Sequence, residues 1–373
     1  MVRLTLTPSF LNLLPRMNPL TRRSFLSAVA SSTLIPRITH AADLGSIALG
    51  IDNFAVRGFG WKASELIQYA AGLRLDTLFL SDLDCLPSLE DVALKEVKAE
   101  AAAAGLSLYL GSWSICPSSV RFKPKWGSAE EHLVTGLRVA RALGSPVFRV
   151  ILGASDDRKT EGGINARIAD TVKVLKSVRS RVLDSGVKIA VENHSGDMHS
   201  WELARLVEEA GTDYVGVNLD SGNAAWTLED PLQVLENLGK YTICSSLRDD
   251  MIWSTPEGAS IQWTAIGEGL VDWKKFIERW KHFCPRVPFQ IETISGFARS
   301  FPYKSDAFWK DYDKRPGALA QFDALAARGR PMESFRVPDG VEKKEAERAF
   351  QKEELERSIA YCRRELGLGI RKA

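Results

Sequence analysis

Eight short apolar runs, separated by amphipathic segments, predict an α/β protein: a (β/α)8 TIM barrel with a long insertion after the eighth strand. The runs are mostly apolar, as expected for strands buried on both faces of a parallel sheet. Each run gives way to a helical pattern, and eight such units at this spacing favour a barrel over an open sheet. The predicted strands are 46–51, 76–80, 106–111, 146–153, 187–192, 215–220, 241–247 and 288–292.

The intervening segments place apolar residues three and four positions apart, which puts them on one face of a helix. A further stretch, 341–368, contains strong helix formers and charged neighbours four residues apart, and we interpret it as the closing helix of the barrel. The other predicted helices are 63–73, 89–104, 129–143, 164–185, 201–210, 232–238 and 273–282.

Residues 297–340 are predicted to form the insertion, because the segment is rich in aromatic residues and prolines and poor in helical periodicity. It leaves the carboxyl end of the last strand, so it begins on the active-site face of the barrel. Its aromatic side chains could form a lid that excludes water, or could pack against the barrel rim: Phe301, Tyr303, Phe308, Trp309 and Tyr312.

Residues 1–42 are predicted to be a twin-arginine-type export signal preceding the barrel domain of residues 43–373. Arg22 and Arg23 stand directly before an apolar stretch, and small residues near position 42 suit signal cleavage. Met17 could be the true start, and an uncleaved N-terminal anchor is the alternative. The apolar stretch is too short for an ordinary membrane span, and the mature chain shows no other candidate. We therefore expect an exported, periplasmic protein.

Composition and missing motifs argue against several classes of protein. The chain has 373 residues and a net charge of +2, with basic and acidic residues interspersed, so no nucleic-acid partner is expected. No glycine-rich phosphate motif follows the first strand, and no G-x-S-x-G motif or reactive Cys/His pairing stands out. The five cysteines are widely spaced and form no C-x-x-C pair, so we expect buried thiols. The expected partner is a small molecule, and an oligomer is possible.

Three acidic residues lie at the ends of predicted strands: Glu192, Asp220 and Glu292. An acidic side chain at the end of a buried strand is costly unless a cation meets it. In a barrel the carboxyl ends of the strands form the active-site face, so the three side chains should converge there. Three converging carboxylates suggest a divalent metal. A helix cap or a salt bridge is the alternative for each residue singly.

Five short motifs occur in order along the last strands and the loops that follow them. Together they resemble the xylose isomerase-like TIM barrel family, the sugar phosphate isomerase/epimerase group. The resemblance extends over about residues 46–296 and leaves the signal and the insertion outside. The motifs are V-E-N-H at 191–194, V-N-L-D-S-G-N at 217–223, L-R-D at 247–249, I-G-E-G-L-V-D-W at 266–273 and I-E-T at 291–293.

The resemblance implies a metal site, because family members commonly bind one divalent ion through Glu, Asp, His and a second Glu. Glu192, Asp220 and Glu292 match three of these ligands, whereas Ser246 stands at the position of the histidine. A site without imidazole consists of oxygens, which favours Mn, Mg or Ca over zinc and lowers affinity. We expect a divalent metal of this kind.

Two residues could compensate for the missing histidine. His194 lies two positions beyond Glu192 and faces the same way if the strand continues, so it could complete the coordination, although a hydrogen bond to substrate is the preferred interpretation. Arg248 faces the same way as Ser246, and its guanidinium could neutralise the carboxylates in a metal-free site.

Further substrate contacts are predicted around these acids. Asn223 could orient a substrate hydroxyl, or could only bond its own backbone. Trp113 follows a predicted strand, and its indole could pack on the apolar face of a sugar or against the rim. The family often has a glutamate on the second strand where this chain has Phe79, and Asp82 could contribute from the next loop.

The resemblance implies isomerisation or epimerisation of a carbohydrate at a carbon next to a carbonyl. Glu192 and Glu292 would remove and return the proton on opposite faces while the metal polarises the substrate oxygens. An unphosphorylated sugar is expected, since phosphorylated sugars are mainly cytoplasmic. A lyase or dehydratase on the same scaffold is an alternative, and so is a catalytically reduced carbohydrate-binding protein. The few histidines argue against the related endonuclease IV branch, which binds several metals through histidines.

Overall fold

An eight-stranded parallel barrel confirms the predicted fold class in the computed structural model, which describes residues 46–312, 317 and 319–371. Strands β1 to β7 follow one another around the barrel, and β10 pairs with β1. A parallel bridge between Leu247 and Ile291 joins the end of β7 to β10. In chain order the strands are β1 (Leu49–Asp52), β2 (Thr77–Leu80), β3 (Ser107–Ser114), β4 (Val147–Ile151), β5 (Lys188–Glu192), β6 (Val215–Leu219), β7 (Thr242–Ser245), β8 (Asp249–Ser254), β9 (Ala259–Thr264), β10 (Phe289–Ile291) and β11 (Ala298–Phe301).

The helices of the described residues cover the outside of the barrel and the loops at its carboxyl end. The predicted helix at 164–185 is two helices, because the backbone leaves helical geometry at Val178. In chain order the helices are α1 (Ala63–Gly72), α2 (Asp91–Ala103), α3 (Ala129–Leu143), α4 (Gly163–Ser177), α5 (Arg179–Ser185), α6 (Ser200–Ala210), α7 (Ser221–Trp226), α8 (Pro231–Leu238), α9 (Trp273–Phe283), α10 (Asp306–Trp309), α11 (Leu319–Arg328) and α12 (Lys343–Leu366).

The barrel interior is apolar beneath the carboxyl ends of the strands. Phe79, Val147, Ala190 and Cys244 form one small buried cluster contributed by β2, β4, β5 and β7. Side chains two positions apart on a strand point to the same side. The residues two positions beyond the last three are Arg149, Glu192 and Ser246, so a polar layer directly follows this apolar one.

A three-stranded antiparallel sheet stands beside the barrel and was not predicted. β8 and β9 form a hairpin between the seventh and eighth barrel strands, and β11 pairs with β9. β11 belongs to the segment 297–340, which also contains α10 and α11. The aromatic residues of that segment pack partly into a second apolar cluster that includes Trp226, Trp263, Tyr303, Trp309 and Phe322. The assignment of this segment as a lid stays a prediction.

The sequence also predicts an N-terminal export signal, no other membrane span and buried thiols. The predicted export signal lies outside the described residues. Among the residues that the structure does describe, no helix has both the length and the apolar character needed to cross a membrane. All five cysteines are buried and free, as expected.

Candidate active site

The three predicted carboxylates come together at the carboxyl end of the barrel. Glu192 is the last residue of β5, Asp220 directly follows β6, and Glu292 directly follows β10. One oxygen from each carboxylate lies within 4.8 Å of the others, and all three residues are buried. Parallel strands place their carboxyl ends at one edge, so residues far apart in sequence share a single site.

Arg248 lies between two of these acids. Its Nη2 donates to a carboxylate oxygen of Asp220 and to one of Glu292, and its guanidinium carbon lies 4.3 Å from the ring centre of Trp263. Its stem passes so close to Gly222 that a Cβ there would lie 2.2 Å from Arg248 Cγ. The predicted neutralising contact of Arg248 is therefore formed in this structure.

Asp52 and Arg149 also belong to the site, and sequence reasoning missed both. Arg149 Nε lies 3.2 Å from Glu192 Oε2, and its Nη2 lies 4.0 Å from Asp52 Oδ2. The hydroxyl of Ser81 donates to Asp52 Oδ1 at 2.7 Å. Signals for both were present: Asp52 follows an apolar run as the other three acids do, and Arg149 is a lone charge inside a buried strand.

Ser246 is buried in the floor of the site. Its hydroxyl donates to Asp52 Oδ2 at 3.2 Å and accepts from Asn218 Nδ2 at 3.2 Å. Asn218 Nδ2 also donates to Glu192 Oε2 at 3.1 Å. Ser246, which the resemblance predicts to stand at the position of the family histidine, is thus part of a hydrogen-bond network that connects two carboxylates.

The floor of the site carries more acid than base. Its four carboxylates face only two guanidinium groups, which leaves two formal negative charges when all are ionised. Burial raises the pKa of each acid, and the pKa of Glu192 reaches about 8 although Arg149 opposes the effect. Two protons or one divalent cation would neutralise the floor, which comprises Asp52, Glu192, Asp220, Glu292, Arg149 and Arg248.

The donor set fits a divalent cation. The three grouped carboxylates supply oxygen ligands, and the charge excess equals that of one such ion. Asn223 Nδ2 donates to Asp220 Oδ2 at 2.6 Å, which leaves its own Oδ1 buried and without a partner. The Oδ1 of Asn218 is also buried without a partner. Arg248 already bonds an oxygen of two of the three acids.

His194 faces the cavity in a defined protonation state. Its Nδ1 donates to the carbonyl oxygen of Gly153 at 2.6 Å, so Nε2 is an acceptor, and the hydroxyl of Ser195 lies 3.3 Å from it. Burial lowers the pKa of His194 to about 4, and the charges of Arg149 and Arg248 contribute. A neutral imidazole of this kind can accept a substrate hydroxyl.

We expect His194 to stay neutral, as the Nδ1–H tautomer, at every pH above about 5, because its pKa is lowered to about 4. Nitrogen-15 NMR of imidazole-labelled protein would show this tautomer, with His282, exposed on α9, as the internal comparison. A His194 resonance that titrates near pH 6.5 would contradict the expectation.

The site opens into a cavity of about 340 Å³. Six of the predicted residues line it, whereas Asp220 and Ser246 lie beneath its surface, with no exposed side-chain area. Trp113 is one of the lining residues, and its Nε1 donates to a carboxylate oxygen of Asp82. The lining residues predicted from sequence are Trp113, Glu192, His194, Asn223, Arg248 and Glu292.

The fold and site define a (β/α)8 barrel protein with a buried acidic centre at the carboxyl ends of its strands. More particularly, the family described as the xylose isomerase-like TIM barrel matches residues 67–295, and the chain belongs to that family. The resemblance expected from the five motifs is thereby confirmed.

Relatives within and around this family have different activities. A 3-oxo-isoapionate decarboxylase of Pectobacterium atrosepticum is 20% identical over 240 residues, which is 61% of this chain and 78% of that protein. A crystal structure of D-psicose 3-epimerase aligns with a TM-score of 0.57 and 13% identity over 85% of this chain and 98% of its own. The IolI protein, whose structure holds zinc, aligns with a TM-score of 0.53 and 15% identity over 77% and 100%.

Proposed function

We propose that this protein is an exported isomerase or epimerase that moves a proton on a carbohydrate carbon next to a carbonyl. The observation that carries the proposal is the convergence of Glu192 and Glu292 on one cavity of about 340 Å³. Burial raises the pKa of both acids, and that of Glu192 to about 8, which suits a group that must both take and give a proton. Paired arginines before an apolar stretch support export.

The metal is part of the same proposal. Glu192, Asp220 and Glu292 would hold a divalent ion, which polarises substrate oxygens when bound. Their all-oxygen donor set favours Mn, Mg or Ca. Ser246 would act indirectly, because its hydroxyl already bonds to Asp52 and Asn218.

The protein's own side chains would transfer the proton, stabilise negative charge and orient the sugar. One glutamate removes the proton from the carbon and the other returns it, on opposite faces of the sugar. Arg149 and Arg248 place positive charge on the floor, where it stabilises negative charge that develops on the substrate oxygen. His194 accepts a hydroxyl through Nε2 and so orients the ring.

A lyase or decarboxylase is the second candidate. The decarboxylase from Pectobacterium atrosepticum favours it, because loss of carbon dioxide beside a carbonyl also passes through an enolate. A lyase that eliminates a hydroxyl would form the enolate by removing a proton and would then expel the neighbouring group, whereas a decarboxylase would form the enolate by losing carbon dioxide and would then protonate the carbon. Both candidates require the same stabilised negative charge on the substrate oxygen.

Incubation with neutral sugars and sugar acids in heavy water tests the proposal. An isomerase or epimerase incorporates deuterium at the carbon next to the carbonyl and forms a stereoisomer or an aldose–ketose pair, which NMR detects. A lyase instead releases a smaller product. The measurement is repeated with metal-stripped protein and after addition of Mn²⁺, Mg²⁺ or Ca²⁺. A protein that neither exchanges deuterium nor forms product under any of these conditions is not an isomerase or epimerase, and only the carbohydrate-binding alternative would then survive.

A further inference from the structure

Charge is distributed unequally between the floor and the mouth of the cavity. The floor has an excess of carboxylates, as described above. The mouth is lined by Arg121 and Arg299, together with one acid, Asp156. Asp156 lies 3.6 Å from Arg121 and 3.5 Å from Lys159, so this one carboxylate already forms ion pairs with two cations. Arg299 is a third cation near the same acid.

Arg299 has no carboxylate within ion-pair distance in the described part of the chain. It lies on β11, with its guanidinium carbon 4.1 Å from the ring centre of Trp226 and 5.9 Å from that of Phe297. Partial burial and the charge of Arg121 lower the pKa of Arg299, and the charge of Asp156 opposes both effects.

Stacked side chains hold Arg299 in place. Trp226 stacks on Trp263 at 4.3 Å and an angle of 10°, and the far face of Trp263 carries Arg248 at 4.3 Å. Arg248, Trp263, Trp226 and Arg299 thus form a continuous column, which we call the Arg–Trp–Trp–Arg stack, from the acidic floor to the mouth. Stacking occupies the face of a guanidinium and leaves the N–H groups at its edge free to donate.

The outer end of this stack is reached from two cavities. Trp226 and Arg299 line both the active-site cavity of about 340 Å³ and a neighbouring one of about 440 Å³. Ser155 and Ser195 are likewise shared. The second cavity therefore leaves room at Arg299 for a group that extends beyond a sugar bound over the floor.

We propose that the substrate is a sugar bearing an anionic group, a carboxylate or a phosphate, which binds the edge of Arg299 while the reacting carbon faces Glu192 and Glu292. This inference rests on the proposed function, because it orients the substrate with respect to those acids. The planar guanidinium matches the two oxygens of either anion in a bidentate contact. The predicted export of the protein favours the carboxylate. Arg299 determines specificity and orientation; it carries no proton in the reaction.

Titration calorimetry of the full-length protein tests the inference without requiring turnover. The probes are matched pairs, D-glucuronate against D-glucose and D-galacturonate against D-galactose, with D-glucose 6-phosphate as the phosphate arm. We expect the better anionic sugar to bind at least about tenfold more tightly than its neutral partner, the size expected for one charge-assisted contact. Arg299→Gln should remove most of that preference and leave the affinity for the neutral sugar within about twofold.

The matched control is Arg286→Gln, which removes the same charge from an exposed position in the loop before β10, at the opposite end of the barrel. It should keep the preference. High salt should weaken the preference of the wild type, because the mouth is exposed to solvent. Tighter binding of the phosphate than of the carboxylates would identify phosphate as the anionic group.

Absence of any preference for the anionic sugars, or a preference that survives Arg299→Gln, would overturn the inference. Different outcomes would contradict the proposed function. Binding of sugar acids through Arg299 without deuterium exchange would contradict the catalytic proposal and leave the anion site standing. Deuterium exchange on a neutral sugar, together with no tighter binding of its anionic partner, would contradict the anion site alone.

Discussion

Replacing either Glu192 or Glu292 by glutamine is expected to lower kcat by about 10²- to 10⁴-fold on any sugar that the protein converts. Glutamine preserves the size of the side chain but can neither take nor return a proton. Both residues are buried on the floor of the cavity. Steady-state kinetics of the two variants, with circular dichroism to verify folding, measures the effect.

The two variants should differ in isotope exchange if one acid removes the proton and the other returns it. A variant that retains the proton-removing acid should still exchange deuterium from heavy water while forming little stereoisomer. Glu268→Gln is the control, because Glu268 is exposed and pairs with Arg357 at 3.0 Å, away from the cavity. Undiminished turnover in both variants would rule out the proposed acid and base roles.

Replacing Arg248 by methionine is expected to destabilise the metal-free protein by roughly 3–5 kcal/mol, the range for breaking a buried ion pair. The guanidinium bonds both Asp220 and Glu292, so its loss leaves two buried carboxylates without their cation. Urea unfolding of the metal-stripped variant measures the change. Because protonation of the carboxylates relieves the cost, the deficit should be smaller at acidic pH.

The same variant separates two ways of neutralising the floor. If Arg248 and a divalent ion compete for these acids, Mn²⁺ should raise the unfolding temperature of Arg248→Met more than that of the wild type. Arg158→Met is the matched control, since Arg158 is also buried and pairs with Glu202, outside the three-carboxylate group. Equal Mn²⁺ effects on wild type and Arg248→Met would show that the arginine and the metal do not exclude one another.

Local pattern was sufficient for the barrel and for the three acids. Each strand appeared as an apolar run because both of its faces are buried, and Glu192, Asp220 and Glu292 stood out as charges at the ends of such runs. Asp52 was missed because the predicted first strand ends at Ile51, one residue before the observed strand does. Arg149 was missed because it lies inside a predicted strand, whereas only charges at strand ends were considered.

The hairpin of β8 and β9 was not predicted, for a different reason. Antiparallel strands at the barrel mouth carry mixed polar and apolar residues, and their pattern was overlooked between two stronger barrel signals. Trp263 lies on β9, so its contact with Arg248 was not foreseen. Arg299 was overlooked too, because nothing in its local sequence indicates that β11 pairs with β9 and brings it to the cavity.

The sequence by itself determined the barrel and the strand ends at which the acids lie. Only the tertiary structure decided how those acids are neutralised: Arg149 meets Glu192, and Arg248 bridges Asp220 and Glu292. The physical reason is that burial and strand periodicity are local properties written into neighbouring residues. Ion pairs and stacked rings join residues distant along the chain, and their partners follow only from the closed barrel and the sheet beside it.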